Sequence, residues 1–165
     1  MIAMQTAAAG HIGLARLEPS DGAALLRLFY RLSPTTVYRR FHSPIVRPEQ
    51  AHPERLLDID HHDREAVVAV VDGEIVGVAR YVRWKGTDRA ELAVVVADDW
   101  QRQGLATRML SRLGDLAHSA GIQSFTASVQ GDNRPALELL RRFRPSARPV
   151  FSQGSYDLTL SIGPE

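Results

Sequence analysis

Two features of this chain bring together residue types that can do chemistry. The first is Gln101-Arg102-Gln103-Gly104-Leu105-Ala106, which follows the valine-rich run 92–97 and opens a stretch of helical periodicity. The first turn of a helix has N–H groups without intrahelical partners and carries the positive end of the dipole. A phosphate or pyrophosphate fits there. Gly104 has no side chain and Ala106 almost none, so a ligand can approach the backbone, with Arg102 and Arg108 adding charge nearby. No Gly-Lys-Ser/Thr follows as in a Walker loop, and the G-x-G-x-x-G dinucleotide spacing is absent. On glycine count alone, an ordinary strand–turn–helix connection is the simpler account. The second feature is Glu91, at the start of the same run, flanked by Ala90, Leu92 and Ala93. A carboxylate in apolar surroundings holds a proton more tightly and suits a general base near neutral pH. The alternative is an outward-facing strand residue paired with Arg80, Arg89 or another arginine.

Positioning these residues takes a buried strand and the helix after it. The run 92–97 is short, β-branched and unbroken, as a strand buried on both faces is. Asp98 and Asp99 end it, and Leu105, Met109, Leu110, Leu113, Leu116 and Ala117 then recur at helical spacing up to a glycine cap near Gly121. Upstream, 11–17 reads as a strand, and Pro19-Ser20-Asp21 caps a helix with Leu25, Leu26, Leu28, Phe29 and Leu32 on its apolar face. Ser33-Pro34 starts another helix through Tyr38 and Phe41, and 48–60 is polar and helical in part. Strands are predicted over 65–71, 75–84 and 89–97, with Asp72-Gly73 and 86–88 as turns. Downstream come a strand over 122–129, a helix opened by Gly131-Asp132-Asn133, and a last hairpin through Val150, Phe151 and 156–162. The order β, α, α, β, β, β, α, β, α, β, β predicts an α+β fold. Its central mixed, mostly antiparallel sheet has about seven strands, flanked by about four helices. One domain covers 11–163, with 1–10 as a loose N-terminus.

Gln101-x-x-Gly104-x-Ala106 after a valine-rich strand resembles the Q/R-x-x-G-x-G/A signature of the GNAT superfamily of N-acetyltransferases. The wider string AELAVVVADDWQRQGLATRML makes the resemblance more specific, and Ala106 stands where glycine is commoner. SPTTVYRRFHSP is similar to a helix in the branch that includes bacterial protein-lysine acetyltransferases. The resemblance implies the GNAT fold, with a sheet that splays open between its fourth and fifth strands. It implies acetyl-CoA as cosubstrate: Gln101, Arg102, Gln103, Gly104, Leu105, Ala106 and Thr107 hold the pyrophosphate, backbone groups of Val94, Val95 and Val96 hold the pantetheine arm, and Asn133 bonds that arm. Asn133 as a plain helix cap is compatible with this. It implies Glu91 as general base for direct attack by an amine, either a protein lysine or a small molecule. Many members carry a tyrosine acid seven residues after the asparagine; here that position is Leu140, and Tyr156 substitutes only if the last hairpin folds over the site. The missing tyrosine favours a second reading, a non-catalytic acetyl-CoA sensor or regulatory module. Arg102, Arg108, Arg141 and Arg142 are candidates for the adenosine phosphate. Arg39, Arg40, His42, His61 and His62 fall on the acceptor side without an assigned role. Dimerisation is common in the family, and nothing in this sequence demonstrates it.

Composition narrows the classes. The 165 residues carry a net charge of +1 and 44% hydrophobic residues, which suits one domain with a core and disfavours a nucleic-acid partner. With no cysteine, there is no disulfide framework, thiolate metal site or cysteine nucleophile. His61-His62-Asp63 lacks a third ligand group at a telling spacing, so a solvated loop without metal is the expectation. No run reaches the ~20 apolar residues of a membrane span, and 1–13 lacks the basic start and long apolar core of a signal peptide, which makes a cytoplasmic location the expectation.

Overall fold

Valine is concentrated in three consecutive segments, and these form the centre of the sheet. The computed structural model describes residues 11–41 and 52–163. Within them β1 is Gly13–Arg16, β2 Arg64–Val71, β3 Glu74–Arg83, β4 Arg89–Val96, β5 Ser124–Gln130, β6 Val150–Ser152 and β7 Ser155–Ser161. The helices are α1 (Gly22–Tyr30), α2 (Pro34–Phe41), α3 (Leu105–Ser119) and α4 (Arg134–Phe143), with a 3-10 turn at Pro53–Leu57. The seven strands form one sheet in the order β1-β2-β3-β4-β5-β7-β6. Every pairing is antiparallel except β4 with β5, so the fold is the expected α+β arrangement. The predicted 1–10 terminus, the 48–51 part of the polar segment and His42 lie outside the described residues.

Successive strand side chains point to opposite faces, and each face has its own core. Val68, Val78 and Val95 meet Leu25, Leu28 and Phe29 of α1, with Val37 and Phe41 of α2 at the edge. On the other face Val67, Ala79, Tyr81, Leu92 and Phe125 meet Met109, Leu110 and Leu113 of α3 and Leu140 of α4. Gly77 lets α3 come close, because a Cβ there would sit 2.9 Å from Met109 Cε and 3.3 Å from the Val95 carbonyl oxygen. Leu105, Met109, Leu110 and Leu113 are each at most 2% exposed. Each such burial contributes roughly 1.5–3 kcal/mol, so α3 is held firmly while the loop before it stays in solvent.

The parallel pairing is short. β4 and β5 match only at Arg89↔Ser124, Ala90↔Phe125 and Glu91↔Thr126. Beyond Glu91 the two strands part, although β4 continues to Val96 and β5 to Gln130. The sheet therefore opens between its fourth and fifth strands, as the family resemblance implies. The wide end of this split lies where β4 hands over to α3 and β5 to α4, so two helix N-termini flank it.

Candidate active site

The loop at the wide end is shaped by its own side chains. After a 3-10 turn at Asp98–Trp100, Gln101 Nε2 donates to the Val96 carbonyl at 3.0 Å and Gln103 Nε2 donates to that of Asp99 at 3.3 Å. Arg102 and Gly104 both have left-handed backbone, with φ of 62° and 79°. A non-glycine residue held there is strained, and such strain is concentrated at functional turns. Gly104 is the N-cap of α3, and a Cβ built on it meets nothing within 4 Å. The space in front of the helix N-terminus is open. Leu105 is buried beneath the loop, Ala106 is half-buried, and Arg102, Gln103, Gly104 and Thr107 are exposed. This is the surface an anion needs.

The split adds backbone groups. Ala97 N–H donates to Val76 and Trp84 N–H donates to Arg89, both at 2.8 Å, which sets the phase of the β3–β4 ladder. Alternation turns the backbone groups of Ala93 and Val95 toward β3, and those of Val94 and Val96 toward the split. Val94 N–H and C=O and Val96 N–H then have no strand partner among the described residues. This corrects the expectation that Val94, Val95 and Val96 act together. Val95 is bound into the ladder on β3 and its side chain is core. Asn133 caps α4, its Oδ1 accepting from Ala136 N–H at 3.3 Å; the amide Nδ2 carries the remaining donors.

Glu91 differs from the expectation in its surroundings. Ala90 and Leu92 point into the α3 face, whereas Glu91 shares the opposite face with Val82, Ala93 and Arg80. It is exposed, and no arginine among the described residues comes within ion-pair distance of it. Apolar neighbours in sequence were thus not neighbours in space. Two guanidinium groups act on it from further away. Burial and repulsion by Arg80 pull Arg40 down to about 10, against the opposing pull of Glu91. Burial also lowers Arg80, again opposed by Glu91.

On this face Glu91 borders an open trough of about 410 Å³ lined by Trp84, Arg89, Thr126, Ser128, Asp157 and Thr159 among others. Trp84 is 50% exposed and its indole N–H donates to Thr126 Oγ1 at 3.1 Å. The trough starts where β4 and β5 part.

Other candidates fall elsewhere. Leu140 is 5% exposed in the core, so its position offers no acid. Tyr156 stands beside Val129 on the α3 side of the sheet, its ring 4.9 Å from that of Phe151. Arg108 donates to the Ile12 carbonyl at 3.4 Å, and Arg141 and Arg142 are exposed at the end of α4. His61 is no solvated loop residue: Nδ1 lies 2.9 Å from Glu65, which is buried, and Nε2 3.0 Å from Glu18. Burial works to lower its pKa, but the bonds to Glu65 and Glu18 outweigh it and hold it above the ordinary value. Among the described residues no group of three His, Cys, Asp or Glu side chains is placed to hold a metal ion. No helix among them is long and apolar enough to cross a membrane.

Sequence reasoning missed how α2 is docked. Asp98 accepts from Ser33 N–H at 2.9 Å, Ser33 Oγ at 2.7 Å and Thr36 Oγ1 at 3.0 Å. The serine that caps α2 is tied to an aspartate just after β4, which fixes Arg40, about two turns along, over the Glu91 face. In sequence the two aspartates after the valine run announce only a strand break, and their distance from Ser33 along the chain gives no local signal.

Residues 26–144 match the model of the Acetyltransferase (GNAT) family. A curated relative, Acetyltransferase PA5475 of Pseudomonas aeruginosa, is 32% identical over 133 residues, 78% of this chain and 72% of the relative. Acetyltransferase Pat of Mycolicibacterium smegmatis is 32% identical over 127 residues, 75% of this chain and 38% of the relative, so the chain spans well under half of that protein. Among solved structures, the GNAT domain of S. lividans PAT is similar in fold, with a TM-score of 0.82 over 90% of this chain and 89% of that one at 23% identity. The anion-ready loop beside an opened parallel pair is thus accompanied by a sequence match over most of the chain, and the chain belongs to the GNAT family of acetyltransferases.

Proposed function

We propose that the protein moves an acetyl group from acetyl-CoA directly to a primary amine, with Glu91 as general base. The observation that supports this best is the split itself. β4 parts from β5 immediately after Glu91, the split widens toward the Gly104 loop, and the outward backbone groups of Val94 are left without strand partners among the described residues. Buried backbone groups are costly to leave unpaired, and an extended amide-bearing arm satisfies them as a strand would. When bound, the coenzyme supplies the activated acetyl thioester. The N–H groups of the loop and the first turn of α3 bind its pyrophosphate, Val94 aligns the arm, and the Asn133 amide donors steady it. The acceptor comes from the opposite face, through the trough that ends at Glu91, and Glu91 takes the proton that the amine must lose. The trough is open and partly aromatic, which suits an exposed peptide chain, and the likeness to Pat supports a protein lysine as acceptor.

One observation favours a second reading, an acetyl-CoA sensor without turnover: the buried Leu140 gives the departing thiolate no hydroxyl. Amine-dependent release of free coenzyme A thiol, measured over a panel of lysine peptides and small amines, separates the two. Release supports the transferase. Acetyl-CoA binding without release from any amine supports the sensor.

A further inference from the structure

Among the arginines, Arg40 and Arg80 are set apart by lying within electrostatic reach of Glu91, and Arg40 also of Arg80. Arg16, Arg27, Arg31, Arg64, Arg83 and Arg144 each donate to a carboxylate or a carbonyl. Like half-buried Arg39 and several exposed arginines, Arg40 and Arg80 make no hydrogen bond or ion pair within 4 Å to another described residue; the ring of Phe41 lies beneath Arg40, 4.7 Å away. Both are half-buried. Arg80 lies opposite Ala93, on the face that holds Glu91 opposite Val82, so it is the diagonal neighbour of Glu91, about 7–8 Å away. Arg40 arrives from α2, which packs on β4, and is close enough for the charges of Arg80 and Glu91 to act on it.

Two cations here face one carboxylate. Half-buried charges without partners are unfavourable. Guanidinium groups present fork-shaped donors that match a planar carboxylate in two-point contact. Among the described residues no second anion joins this cluster, which lies beside the base and at the acceptor's end of the split.

We propose that Arg40 and Arg80 form an acceptor subsite for a carboxylate, so that the protein selects lysines whose neighbouring residue is aspartate or glutamate. This rests on the reading of Glu91 and the split as the acetyl-transfer site. Arg40 and Arg80 are specificity determinants: they hold the acidic neighbour and thereby place the lysine amine at Glu91. A free small amine that carries a carboxylate has the same chemistry, and the test separates the two sources.

The test uses peptide pairs that differ only in Lys-Glu against Lys-Gln. Acetylation is followed by thiol release, and binding by anisotropy of labelled peptides with acetyl-CoA present. The Glu peptide is expected to be favoured in kcat/KM by about tenfold or more, mainly through KM, the scale of one charge-assisted pair. In Arg80→Met and in Arg40→Met the Glu/Gln ratio falls toward one, and Arg80→Lys keeps part of it. Each variant's fold is checked by circular dichroism, and the ratio within one variant cancels any general loss of activity. Equal treatment of the two peptides by the parent, or a preference that survives both methionine substitutions, overturns the proposal. So does a preference seen only with small carboxylate-bearing amines. If no peptide is acetylated yet the Glu peptide binds in an arginine-dependent way, the transferase reading fails, and with it the acceptor role, while the carboxylate subsite itself stands.

Discussion

Glu91→Gln removes a proton acceptor and leaves the shape of the side chain. Glu91 is exposed, so no core contact is lost. Its charge opposes the burial and mutual repulsion that act on Arg40 and Arg80. Removing it leaves two cations facing each other, but in a solvent-accessible cluster such effects stay near 0.5 kcal/mol. For a chain of this size that is a fall in Tm of about 1–2 °C. Acetyl-CoA affinity should change less than twofold, because the loop and the Val94 groups are untouched. Turnover is a different matter. One positioned acid–base group contributes at least about 10²-fold, or about 2.7 kcal/mol of barrier. The variant is therefore expected to bind acetyl-CoA like the parent, melt almost like the parent, and release thiol about a hundredfold more slowly with the best acceptor. Thiol release, calorimetry and a thermal melt on one preparation check all three. A loss of turnover below about threefold, with binding intact, refutes the base assignment.

Two further perturbations test the scaffold. Asp98→Ala unties α2 from the loop; because the carboxylate is exposed, its three bonds are set at the low end, about 1 kcal/mol in total, or a fall in Tm of about 2–4 °C. Burial tends to raise the Asp98 pKa, but the Ser33 and Thr36 donors outweigh it and hold it below 3.8. Its contribution is thus present above that value and lost as pH falls through the lowered one, so parent and variant melts should converge only in strong acid. His61 has the opposite sign. Its pKa is raised from 6.5 by Glu65 and Glu18 against the effect of burial, so its contribution is complete below 6.5 and is lost as pH rises through the raised value. Melts of the parent should therefore show a decline above pH 6.5 that His61→Asn abolishes; asparagine tolerates the left-handed backbone at this site, φ 58°. A decline of equal size in the variant would remove His61 from the account.

The element order was legible because local periodicity and punctuation agree at nearly every boundary. The valine-rich runs of β2, β3 and β4 have few alternatives, and Ser33-Pro34 and Asn133 mark helix starts that the structure keeps. The loop was legible for a different reason: Gly104 at a strand–helix junction has a backbone requirement, here φ 79°, that its residue type announces. What sequence reasoning missed depends on direction in space. Ala90 and Leu92 flank Glu91 along the chain, but the strand turns them to the other face. Val95 looks like Val94 and Val96, yet its backbone groups belong to β3. Arg40, Arg80 and Glu91 come from three separate elements, and the 33–98 and 61–65–18 clusters are closed by tertiary contacts, so neither has a local signature.

The central claim is that the Gly104 loop and the adjoining split bind acetyl-CoA, and calorimetric titration of the parent and of Gly104→Glu tests it most directly. The left-handed backbone makes any side chain at this position cost about 1–2 kcal/mol of stability, so circular dichroism must first show that the variant is folded. The open space in front of Gly104 then receives a carboxylate where the pyrophosphate is expected. The account predicts saturable binding to the parent and none to the folded variant. A parent that shows no binding up to low-millimolar acetyl-CoA, or a variant that binds as well as the parent, would contradict it.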